Sequence, residues 1–176
     1  MRLLSLKLSL LIIYLLSSTI TIADEKLDIK NLIIHKDPKK VDVKIFKNSE
    51  DIIVSLDDFK EKLIVLNFWA TWCAPCRDEM PSLDLLQSNK KIKNLMILPI
   101  NVGRENKDKA KKFFEDLDIK NLQIYYDDSV KLAKNFSLIG LPTTIFINKK
   151  GEEFARIIGS IDFQDKNFIQ WLSKYN

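Results

Sequence analysis

The sequence predicts an α/β domain with a central mixed β-sheet, helices on both faces, and a closing β-hairpin followed by one more helix. Three observations lead there. Leu63 to Trp69, LIVLNFW, is an unbroken apolar run suited to a strand covered on both faces. Further apolar runs alternate with stretches whose apolar residues recur at helical spacing, an order that gives parallel pairing. Near the C-terminus two apolar runs flank Lys149-Lys150-Gly151, a hairpin signature with glycine where φ is positive.

Along the chain, Val41 to Phe46 alternates apolar and polar residues and reads as a short strand. Ser55 and Asp57 stand before Phe59 and Lys60 as capping residues of a helical turn. After the 63–69 strand, Met80, Leu83 and Leu86 follow Cys76 at helical spacing. Pro81 falls inside this helix, removes one backbone donor, and predicts a kink. Leu95 to Val102 is the next strand, ended by Gly103. Ala110, Phe113, Phe114 and Leu117 form one face of a helix that begins near Asn106. Leu122 to Tyr126 is a short strand and Val130 to Phe136 a short helix. Thr143 to Asn148 and Phe154 to Ile158 are the hairpin strands. Phe168, Ile169 and Leu172 face the last helix inward, with Asp162 near its start. The order is therefore β-α-β-α-β-α-β-β-α.

With 176 residues, 46% hydrophobic and 30% charged, the chain suits one domain plus an N-terminal extra. Residues 1 to 23, MRLLSLKLSLLIIYLLSSTITIA, read as an export address. Arg2 and Lys7 form a positive front, an apolar run follows from Leu8 to Leu16, and Thr21-Ile22-Ala23 fits the small-x-small cleavage pattern. The segment is either a cleaved signal or a retained membrane anchor, and in both cases the remainder is exported, as expected for a bacterial periplasm. Residues 24 to 40, rich in Lys and Asp with one apolar patch at Leu32-Ile33-Ile34, read as a tether with room for one short element of the domain. The domain then spans 41 to 176. Net charge is +4, and loss of Arg2 and Lys7 lowers it to +2. Lysines are spread along the chain and mixed with acidic residues, which argues against a nucleic-acid partner.

Only two cysteines occur, Cys73 and Cys76, in the order FWATWCAPCRDEMPSL. A strand that runs into Cys-x-x-Cys at a helix start places the first sulfur where unpaired N–H groups and the helix dipole stabilise a thiolate, the nucleophile of disulfide exchange. Two intervening residues let the sulfurs meet across one turn, and Pro75 falls where its missing N–H costs nothing. Cys73 is expected to be the exposed sulfur and Cys76 to lie a turn inside. The Cys73 thiolate then attacks a partner's disulfide, and Cys76 resolves the mixed disulfide. A zinc site lacks ligands, since the only histidine is His35 and no second Cys-x-x-Cys exists. An inert disulfide closing so small a loop would stabilise little.

FWATWCAPCRDEMPSL, followed at a distance by GLPTTIFIN, resembles the thioredoxin superfamily and within it the exported TlpA-like branch; INVGREN and FARIIGSIDF fit the same branch. The resemblance covers the chain from about Val41 onward. It implies the thioredoxin fold and a thiol–disulfide oxidoreductase whose redox group is the Cys73–Cys76 pair itself, with no other cofactor and no metal. Pro142 matches the family's cis proline beside the pair, which would leave the Leu141 backbone open to a bound partner strand. Trp72 is expected over the sulfurs as shield or partner contact, with a purely packing role as the alternative. Thioredoxin has a buried aspartate six positions before the first cysteine; here Asn67 stands there, which cannot titrate. The branch resembles this chain instead at Glu79, three residues after Cys76 on the same helical face, as acceptor of the Cys76 proton.

Ala74-Pro75 brings no charge that would favour a thiolate and Glu79 would oppose one, so a reducing couple is expected, supplied by a membrane disulfide reductase. The branch implies substrates among disulfide-containing proteins outside the cytoplasm, in the assembly of the copper site of respiratory oxidases or, as the alternative, in cytochrome c maturation. A copper chaperone on the same fold would use a wider cysteine spacing and a later histidine, both absent.

Overall fold

A computed structural model of the chain describes residues 29–42 and 45–175. The export segment at 1 to 23 lies outside the described residues. Eight strands are present among the described residues: β1 (Leu32–Lys40), β2 (Ile45–Lys47), β3 (Ile53–Ser55), β4 (Leu63–Trp69), β5 (Leu95–Asn101), β6 (Tyr125–Tyr126), β7 (Thr143–Ile147) and β8 (Glu152–Ile158). A 3₁₀ turn covers Leu56–Phe59, and the helices are α1 (Ala74–Gln87), α2 (Lys107–Asp116), α3 (Lys131–Asn135) and α4 (Lys166–Ser173). The strands form one sheet in the order β1-β8-β7-β4-β5-β6-β2-β3. β4 pairs parallel with β5 and antiparallel with β7, so the sheet is mixed as the sequence predicts.

β4 explains its own uniformity. All seven residues are buried, because helices cover both faces and neighbours flank both edges. Its odd positions Leu63, Val65 and Trp69 join a cluster with Met80 and Leu83 of α1, Phe113 and Phe114 of α2, and Phe168 and Trp171 of α4. Its even positions Ile64, Leu66 and Phe68 join Leu98 of β5, Leu132 of α3, Phe136 and Leu56 on the opposite side. The strand's period of two thus divides the core, and Asn67, an odd position, is placed on the α1 side.

The structure differs from expectation at its edges. Residues 32 to 40, read as part of a tether, are a nine-residue strand paired antiparallel with β8, and Ile29 packs against the core. β1 is an edge strand exposed along most of its length, so it carries no apolar alternation to read. The strand expected over 41–46 is described only as Ile45–Lys47, and it pairs with the unforeseen β3. β6 is two residues long, although Leu122 and Ile124 before it are buried. The last helix begins a few residues after Asp162, as expected, and is capped by Asp165, whose Oδ1 accepts the N–H groups of Asn167 and Phe168 at 2.8 and 3.0 Å. The predicted Ser55 cap holds, with a reciprocal bond from its own N–H to Asp58. α1 runs on through Pro81 to Gln87.

Candidate functional site

β4 delivers the chain to the thiol pair. From Trp69 it passes through Ala70, Thr71 and Trp72 to Cys73, which is the N-cap of α1 with φ −86° and ψ 101°. The Cys73 Sγ accepts the N–H of Cys76 at 3.3 Å, one of the donors that a helix start leaves open. Pro75 occupies the first turn. The two cysteines are joined as a disulfide, with Cα atoms 5.3 Å apart. Cys76 is fully buried as expected. Cys73 is not the open sulfur the sequence suggested: it is 5% exposed, because the disulfide folds its sulfur inward against Cys76. Exposure at this rim belongs to Trp72, at 69%, whose indole makes no ring contact with another aromatic among the described residues.

Leu141 is half-buried and packs against the cluster that contains both cysteines. The Leu141–Pro142 peptide is cis. Pro142 is buried, and its C=O accepts the N–H of Gly159 at 2.9 Å. Thr143 Oγ1 donates to the Gly140 C=O at 2.8 Å, closing the short loop that carries Leu141.

Glu79 lies one turn beyond Cys76 on α1 and is 2% exposed. Its Oε1 accepts from Asn67 Nδ2 at 2.7 Å, and the same amide donates to Thr144 Oγ1 at 3.0 Å. Among the described residues no cation pairs with the carboxyl. Burial pushes its pKa from the ordinary 4.5 to about 8, with the Asn67 bond opposing that rise. The Ile161 backbone lies near enough to favour the ionised form weakly, yet Oε2 has no hydrogen bond. Glu79 also lines a groove of about 510 Å³ with Asp78, Ile161, Asp162, Asp165 and Phe168. The structure therefore places Cys73, Cys76 and Glu79 on one helix, with Leu141 and Pro142 in a loop at the start of β7.

Two features of the site were not foreseen. One is the bonding of Asn67 and Thr144 to Glu79, hidden because a polar pair inside two apolar strands gives no motif. The other is Glu105, in the loop between β5 and α2. It accepts the Thr71 N–H at 2.9 Å, bonds the Thr71 hydroxyl, and takes Asn101 Nδ2 at 3.3 Å. These contacts hold its pKa below the ordinary carboxylate value against the opposing effect of burial, which is the larger single cause. They pin the segment two residues before Cys73. Arg77 sits over the Phe113 ring at 4.8 Å, so its charge is held at the flank of α1. Among the described residues no group of three or more His, Cys, Asp or Glu side chains is arranged to hold a metal ion.

Residues 38–152 match the model of the AhpC/TSA family, and the chain belongs to that family. It is 35% identical over 106 residues to the thiol–disulfide oxidoreductase ResA of Bacillus cereus, a match covering 60% of each chain. The chain thus spans about 60% of the length of that relative. Among solved structures it resembles a secreted thiol–disulfide isomerase from Corynebacterium glutamicum, with a TM-score of 0.69 and 25% identity over 84% of this chain and 94% of that one. It also resembles a DsbF homologue from Corynebacterium diphtheriae, with a TM-score of 0.67 and 28% identity over 82% and 92%. The fold is that of thioredoxin-like proteins.

Proposed function

We propose that this AhpC/TSA-family protein is a thiol–disulfide oxidoreductase that reduces disulfides in partner proteins outside the cytoplasm. The observation that carries the reading is a Cys-x-x-Cys disulfide at the first turn of α1 with a buried carboxylate one turn behind it that no cation pairs among the described residues. The names of the similar proteins, ResA among them, support the same reaction class.

The cycle begins with both cysteines reduced. The Cys73 thiolate, favoured by the helix N-terminus and the Cys76 N–H, attacks one sulfur of a partner disulfide. That S–S bond breaks, a Cys73–partner disulfide forms, and the first partner sulfur leaves as a thiolate and takes a proton. Glu79 accepts the Cys76 proton as Cys76 attacks Cys73 Sγ. The second partner sulfur leaves, and the Cys73–Cys76 disulfide closes. The partner has gained two electrons and this protein has lost two. A carboxylate with a pKa of about 8 suits this transfer, because an ordinary thiol titrates near roughly 8.5.

Trp72, exposed beside the pair, and Leu141, whose N–H and C=O make no hydrogen bond among the described residues, are the surfaces for a partner segment, with Pro142 fixing the loop. The two electrons return from a membrane disulfide reductase. Substrates are the cysteines of respiratory-oxidase copper-site assembly proteins, with apocytochrome c as the second candidate. The export segment at 1 to 23, kept as an anchor or cleaved, puts the domain in the periplasm. The reduction potential of the pair, equilibrated against a dithiol buffer, tests the direction. A value near thioredoxin's, about −270 mV, supports a reductant, whereas a value near about −120 mV, that of a strong oxidant, contradicts it.

A further inference from the structure

Asn67 occupies the middle of β4, wholly buried, where the strand otherwise carries Leu, Ile, Val, Phe and Trp. A side-chain amide in that position costs free energy unless its polar atoms are paired. Both N–H groups are paired: one with Thr144 Oγ1, directly across the β4–β7 ladder, the other with Glu79 Oε1. An ionised carboxylate only accepts, so the amide nitrogen has to face it. The oxygens are left over. Asn67 Oδ1 and Glu79 Oε2 are both buried without a partner. A core shaped for stability alone would place apolar groups at these positions, because a half-satisfied polar set is worse than none.

We propose that Asn67, held in register by Thr144, is the positioning residue that keeps Glu79 able to ionise and directs its proton to Oε2. With Oε1 occupied by a donor, the unbonded Oε2 is the atom free to take a hydrogen, and it belongs to the side chain that lines the groove beside Ile161. Without the Asn67 N–H, only the weak influence of the Ile161 backbone favours the charged carboxyl, and Glu79 holds its proton to higher pH than in wild type. The other charged groups around the groove are Asp78 on α1, Asp162 and Asp165 before α4, and Lys30 ahead of β1. All four are exposed to water, which screens them. The role of Asn67 in the reaction rests on Glu79 being the proton acceptor; its effect on Glu79 itself does not.

The test is the titration of the Glu79 side-chain carboxyl, followed by ¹³C NMR in the oxidised full chain, for wild type, Asn67→Leu and Thr144→Val. In wild type the midpoint is expected near 8. Asn67→Leu should move it upward by about one pH unit or more, the size expected for losing one hydrogen bond to a charged group. Thr144→Val, which frees the amide but keeps it, should move it the same way by less, and it carries the test if Asn67→Leu fails to fold. An unchanged Glu79 midpoint in a folded variant overturns the proposal. A shifted midpoint whose variant resolves mixed disulfides with the wild-type pH profile upholds the tuning by Asn67 and removes Glu79 from the reaction.

Discussion

Glu153 and Glu79 are both nearly sealed from water, at 4% and 2% exposure, yet their surroundings differ in kind. Glu153, on β8, has every need met. Its Oε1 bonds His35 Nε2 and Arg156 Nε, each at 2.7 Å, and its Oε2 accepts Arg156 Nη2 at 2.9 Å. Arg156 goes on to the Phe136 C=O at 3.1 Å, so the cluster ties β1 and β8 to the end of α3. Glu79 has one neutral donor and an idle oxygen. The first arrangement fixes a charge in place. The second leaves a carboxyl whose charge is costly and whose proton is therefore exchangeable near neutral pH. A buried carboxylate is a functional candidate when its partners are neutral and incomplete, and a structural one when cations close it.

The sharpest way to test the contrast is at the reacting atoms. Cys73→Ser should reduce partner-disulfide turnover to background, and Cys76→Ser should accumulate the mixed disulfide, read on a non-reducing gel. Glu79→Gln should slow resolution of the mixed disulfide by on the order of 10²-fold, measured by stopped-flow quenching, while the initial attack by Cys73 changes little.

The two glutamates should also separate in stability. Breaking the closed cluster with Arg156→Met leaves a buried charge short of donors and should cost about 3–5 kcal/mol in denaturant unfolding, with an unchanged reduction potential. For Glu79 the sign runs with pH. Its folded pKa, about 8, lies above the ordinary 4.5, so between these values the native state holds a proton that the unfolded chain has released. The contribution is therefore full below 4.5 and lost as pH rises through 8, at about 1.4 kcal/mol per pH unit within that window. Wild-type unfolding free energy should fall across it, and Glu79→Gln should flatten that fall. The smallest effect is expected at Trp72→Ala, where the side chain is mostly in water: stability within about 0.5 kcal/mol of wild type, with weaker capture of partner disulfides.

What the sequence made legible follows how locally each feature is encoded. LIVLNFW, the Cys-x-x-Cys helix start and the 143–158 hairpin each announce themselves within ten or so residues, and all three stand where expected. β1 is longer than the one short element the 24–40 segment suggests, because an exposed edge strand gains its order from β8, more than a hundred residues away, and needs no apolar pattern of its own. His35 looked like a tether residue for the same reason; only pairing with β8 brings it to Glu153. In the site, Glu79 is legible through the family resemblance, with its helical spacing from Cys76 in support, whereas its partners are not. Thr144 is 77 positions from Asn67, and Glu105 is 34 from Thr71, so those bonds exist only once the sheet and its loops are assembled.

The central claim is that Glu79 takes the Cys76 proton, and it is tested most directly by the pH dependence of mixed-disulfide resolution in wild type and Glu79→Gln. If Glu79 is the acceptor, the wild-type rate rises through a midpoint near 8, and in the variant it is lower and rises only at the higher pH where Cys76 ionises unaided. Superimposable profiles would contradict the account and leave Glu79 as a buried carboxyl without a part in the chemistry.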